Sequence, residues 1–152
     1  MSQHAVPVVW SPDTLRHDPR HEVWVGVTTP GTEVAERVTT ILDGLRAAGH
    51  RLLEARADPD ALLAAVHEPA LLEFLRTAAE RWVAGEYAEL VGQERVVPYL
   101  FPTPAMTAGL PTRRARAVHA EAGAFAYDTM TLVGPGTWES ARAAGGGGAA
   151  GA

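Results

Sequence analysis

The 152 residues suffice for one domain, which at that length buries about 70% of its unfolded surface, and 47% hydrophobic with 20% charged residues argues against wholesale disorder. A net charge of −5 disfavours nucleic-acid binding, which needs a basic excess on one face, and the absence of cysteine excludes disulfides, cysteine–zinc sites and thiol catalysis. All 13 basic residues are arginine, which reflects base composition more than mechanism.

Near the start there is no basic region followed by a long apolar run, and no later segment approaches about 18 uninterrupted apolar residues, so a cytoplasmic protein is expected. Residues 5–10, AVPVVW, read as a buried strand closed by Ser11 and Pro12. A long charged loop follows, in which Pro19 keeps His17 and His21 off a shared helical face. Thr32 is placed to cap a helix over 33–48 that carries Val34, Val38, Ile41, Leu42 and Leu45 as its apolar stripe and ends at Gly49. RLLEA at 51–55 reads as a second strand, and strand–helix–strand predicts a parallel pair.

Asp58 and Pro59 open a short helix to about residue 66, and Pro69 opens a longer one to about residue 84 with Leu72, Leu75, Ala79 and Trp82 on one face. Between 85 and 112 the periodicity breaks around prolines 98, 102, 104 and 111, predicting a long loop. Only basic charges, Arg95, Arg113, Arg114 and Arg116, occur between Glu94 and Glu121, and a helix is expected over 113–126. Finally Gly134, Pro135 and Gly136 punctuate the chain before Thr137, which is placed to cap a helix bearing Trp138, Ala141 and Ala144 on its buried face.

The histidines support no metal site on their own: His17 and His21 have zinc-like spacing but no further ligands nearby, and His67 sits at a helix junction. Gly146, Gly148 and Gly151 match GxGxxG formally, but a dinucleotide loop must follow a strand and open a helix. Here the glycines follow the helical WESARAA, so the Gly/Ala-rich terminus 145–152 reads as low-complexity helix or a frayed end.

Four pieces in order carry a resemblance: WSPDTLRHDPRHEVWVG at 10–26 with Glu33, Arg37 and Ile41 after it, LLAAVHEPALLEFLRTAAERW at 62–82, VVPYLFPTP at 96–104, and YDTMTLVGPGTWESARAA at 127–144. Together they resemble the N-terminal part of the histone deacetylase superfamily, in its acetylpolyamine amidohydrolase-like branch. The resemblance implies an α/β fold, the N-terminal portion over 1–152 of a parallel-sheet, arginase/deacetylase-like three-layer domain that is incomplete in this chain. It implies a zinc-dependent deacetylase that hydrolyses an acetylated amine, acetylpolyamine or acetyl-lysine, to acetate and free amine. The family's metal ligands, its histidine base and acid and its oxyanion-stabilising tyrosine lie in motifs absent here, so the resemblance implies no catalytic or metal residue in this chain.

By position, Glu22 falls where the branch places a rim glutamate that attracts a distal ammonium. Two further acids of the branch align near His119 and Met130, so this sequence lacks them, and Glu121 is the candidate substitute for one. Glu22, His119 and Glu121 are therefore the substrate-binding candidates. The three arginines at 113, 114 and 116 weigh against a polycation and toward acetyl-lysine. In the branch, the segment corresponding to 98–111 builds a homodimer and narrows the entrance. The other class of reading is a non-catalytic α/β interaction protein that keeps only this region. Two strands leave open sheet edges, so the isolated chain is expected to be marginal or aggregation-prone.

Overall fold

A computed structural model describes residues 6–55, 59–86, 92–111, 113–130 and 133–150, and the chain divides into two compact units. The first comprises Met1–Asp18, Glu33–Glu68 and Gly136–Ala152, and the second Pro19–Thr32 and Pro69–Pro135.

In the first unit β1 (Val8–Trp10) pairs in parallel with β4 (Leu52–Glu54), with Val8 opposite Leu52 and Trp10 opposite Glu54. Helix α1 (Ala35–Ala47) makes the crossover, as the strand–helix–strand pattern predicts. Its N-terminus differs from expectation: Thr32 does not cap it. The Ala35 N–H donates instead to Asp18 Oδ1 at 2.9 Å, so a side chain from far earlier in the chain satisfies the helix start. Leu42 is the buried member of the stripe, and Ile41 stays 56% exposed. Asp58 lies outside the described residues, and α2 (Asp60–Val66) begins after Pro59.

A 3₁₀ helix over Pro12–Arg16, capped by the Ser11 hydroxyl, packs on α6 (Thr137–Ala150). Gly136, at φ +80°, permits that contact: a Cβ there would stand 2.1 Å from the Arg16 carbonyl oxygen. The glycines from 145 to 148 continue α6. A Cβ on Gly145 would meet Leu63 Cδ2 at 3.1 Å, so the missing side chains let the helix approach α2 closely. The inward face of α6 is also displaced from the expected one. Gly146 is buried with Arg142 and Ala143 half-buried, while Ala141 and Ala144 are exposed.

The second unit contains an element the sequence did not suggest, an antiparallel hairpin of β2 (His21–Trp24) and β3 (Val27–Pro30). Val25 and Gly26 both have positive φ, +48° and +80°, the sign a type I′ turn demands at its two central residues. Helix α3 spans Pro69–Ala84 as predicted, but its buried face is Phe74, Ala78 and Trp82, with the expected Leu72, Leu75 and Ala79 half-buried beside it. The three buried residues pack with Val96, Val118 and Ala122 into the core of this unit, with Phe125 stacked on Phe74 at 5.1 Å. The expected helix over 113–126 contracts to α5 (Val118–Ala122), and the proline-rich stretch before it holds only the short α4 (Pro104–Thr107) among its described residues.

Candidate functional site

The three substrate-binding candidates all belong to the second unit, Glu22 on β2 and His119 with Glu121 on α5. Glu22 is buried at 6% exposure within β2, where Val23 beside it is buried as well. Its Oε1 accepts the Thr32 backbone N–H at 2.7 Å and the Thr32 hydroxyl at 2.8 Å.

Glu121 is enclosed more completely, at 1% exposure, and with Val96 is the largest fully buried side chain among the described residues. Two guanidiniums reach it: Arg81 from α3 donates Nη1–H to Oε2, and Arg114 donates Nε–H to Oε1. Arg81 also donates to the Arg116 carbonyl at 3.0 Å, and Arg114 donates to Glu73 at 2.6 Å. Residues 114–116 are thereby held against α3, which is why 113–117 does not extend α5. The group is charge-balanced, with two arginines and two glutamates, as a buried carboxylate requires. The Arg114 hydrogen bond and charge hold the Glu73 carboxyl below its ordinary value, and Glu73 first, then Glu121, raise Arg114.

His119 is half-buried, its ring edge-on to Tyr99 at 6.0 Å, and its carbonyl accepts the Tyr99 N–H at 3.0 Å. His17 Nδ1 lies 3.0 Å from Thr137 Oγ1 in the first unit, at the start of α6. His50 Nδ1 is 3.0 Å from the Val6 carbonyl oxygen. Among the described residues no group of three or more His, Asp or Glu could hold a metal ion, so these side chains do not fit a zinc site.

The first unit carries two further concavities. An apolar groove of about 690 Å³ is lined by Val8, Trp10, Val38, Leu42 and Leu45, and a polar cavity of about 310 Å³ by Asp13, Arg16, Glu139 and Arg142. In the polar cavity the charges pair locally: Arg142 donates to Asp60 at 2.6 Å and Arg16 stands 3.7 Å from Asp13.

No protein-family model matches the chain. A curated relative, the acetylpolyamine amidohydrolase of Mycoplana ramosa, is 28% identical over 136 residues, which are 88% of this chain and 37% of that protein. The crystal structure of an acetylpolyamine aminohydrolase from Burkholderia pseudomallei superposes with a TM-score of 0.76 at 26% identity, over 91% of this chain and 38% of that one. This chain is similar to acetylpolyamine amidohydrolases. Agreement in both sequence and fold bears out the resemblance to that branch of the histone deacetylase superfamily, and the helices with a parallel strand pair fit an incomplete α/β deacetylase domain. The chain spans 37% and 38% of the lengths of these two amidohydrolase relatives.

Proposed function

We propose that these residues are the scaffold and entrance of an enzyme that hydrolyses the amide of a small acetylated amine, releasing acetate and free amine. The observation that carries this reading is the likeness, over nine-tenths of the chain in the structural comparison, to two proteins named for acetylpolyamine hydrolysis. The described side chains do not make a zinc site, so no step through a metal is derived for them. Zinc and the reacting groups belong, in this proposal, to residues outside these 152.

Between acetylpolyamine and acetyl-lysine, the ion pairs favour the polyamine. Glu73 and Glu121 take up Arg114, which removes one guanidinium from the local positive excess that would repel a polycation. Glu22, His119 and Glu121 remain the proposed residues of the entrance, and the 98–111 segment the proposed homodimer contact. Among the described residues no helix is long and apolar enough to cross a membrane; a cytoplasmic location is proposed with the function.

The nucleotide sequence beyond the Ala152 codon tests this reading. An open frame that soon encodes paired histidines and then an Asp-x-His motif is the expected result. A stop codon at that point would favour the non-catalytic interaction protein.

A further inference from the structure

We propose that Glu121 is a positioning residue for the backbone of the proline-rich segment at 99–101, rather than a carboxylate that touches substrate. Five residues form little more than one turn of helix, too short to persist in water, so where α5 sits is set by what anchors it.

One face is anchored to α3. Val118 and Ala122 enter the core with Phe74, Ala78 and Trp82, but both are small, and Glu121 is the long buried side chain of the helix. Arg81 from α3 and Arg114 from the stretch of chain before α5 both close on its carboxylate. Arg114 is itself held to α3 by Glu73, one arm of a closed set of charges.

The His119 carbonyl and Gly123, just past the helix end, carry the proline-rich segment. The Tyr99 N–H donates to the His119 carbonyl at 3.0 Å, and Gly123 abuts the Leu100 carbonyl so closely that a Cβ would lie 1.5 Å from its oxygen. Helix α5 is thus a spacer. Its register against α3, set by Glu121, is transmitted directly to backbone 99–101, and the consequence for a substrate entrance rests on the deacetylase reading above.

Amide exchange in the complete protein tests the positioning role independently of that reading. Glu121→Gln keeps an acceptor but removes the charge, and Arg114→Ala removes one arm while leaving Arg81 on Glu121. Exchange at the Tyr99 amide should rise about tenfold in each, while the Ala55 amide, bonded to the Trp10 carbonyl in the first unit, stays within about twofold. Unchanged protection at Tyr99, or an equal rise at Ala55, overturns the proposal. Should Glu121→Gln fail to fold, Arg114→Ala decides the matter.

The entrance role has its own readout, KM for acetylputrescine in the complete protein. Positioning predicts that both variants raise KM. Direct contact predicts opposite signs, because removing Arg114 would strengthen the attraction of Glu121 for an ammonium and lower KM. A wild-type protein that does not turn over acetylputrescine refutes the deacetylase reading and leaves the exchange result standing.

Discussion

One oxygen of Glu22 accepts both the backbone N–H and the hydroxyl of Thr32. Glu22 lies near the start of the β2–β3 hairpin and Thr32 lies just after its end, so this pair closes the hairpin at its base. Thr32→Val removes the hydroxyl bond and should destabilise the chain by about 1 kcal/mol. Glu22→Ala also strips the acceptor from the Thr32 N–H and should lose about 1–3 kcal/mol. Urea unfolding measures both, and a Glu22→Ala variant as stable as the parent would release Glu22 from this closing role.

Two glycines with nearly the same backbone angle should respond very differently to alanine. Gly49 has φ +83° and open space within 4 Å of where a Cβ would sit, so Gly49→Ala should lose only about 1 kcal/mol, the cost of a left-handed conformation. Gly136 has φ +80°, and its Cβ would stand 2.1 Å from the Arg16 carbonyl oxygen, so Gly136→Ala must also push the 3₁₀ helix away from α6. Its loss should exceed that of Gly49→Ala by about 1–3 kcal/mol. Equal unfolding midpoints for the two variants would contradict the close approach.

Acid should weaken the second unit through Glu73. Its folded-state pKa is depressed below 4.5 by Arg114, so the unfolded state takes up the proton first as pH falls. The stabilisation is present above the unfolded value and is lost as pH drops through the folded one. A urea midpoint that declines below about pH 4.5, with a shallower decline in Arg114→Ala, is expected. Because Glu73 is exposed, high salt should flatten the difference.

Zinc should not stabilise the 152-residue chain. A specific site saturated at about a hundred times its dissociation constant would add about 2.7 kcal/mol to the unfolding free energy. The expected result is an unchanged urea midpoint in zinc and far less than one bound equivalent by elemental analysis. Stoichiometric zinc would mean that these residues hold the metal themselves.

Elements with regular periodicity and ordinary end signals are legible in the sequence. Pro69 and the Leu72–Leu75–Ala79–Trp82 spacing define α3 in the sequence, although of these only Trp82 is fully buried, and two short apolar runs around α1 announce the parallel pair. The hairpin is hidden because Val25, a β-branched residue, occupies a left-handed position where Asn, Asp or Gly would signal a turn. The helix expected at 113–126 is cut short by charges 40 residues apart in the chain: the Arg81–Glu121 pair pulls α5 onto α3. Likewise Thr32 has the character of a helix cap, but Glu22 binds its hydroxyl. Local patterns cannot reveal such distant partners. Of the site, the three candidate residues can be picked out by position, but not that Glu22 and Glu121 are buried with their carboxylates already engaged.

The most direct measurement is acetate release from acetylputrescine by the complete product of this coding region. The proposed function predicts acetate and putrescine in equal amounts, with turnover lost on removal of the metal. Absence of acetate from acetylputrescine and from acetyl-lysine alike, in a folded and metal-replete protein, would contradict it.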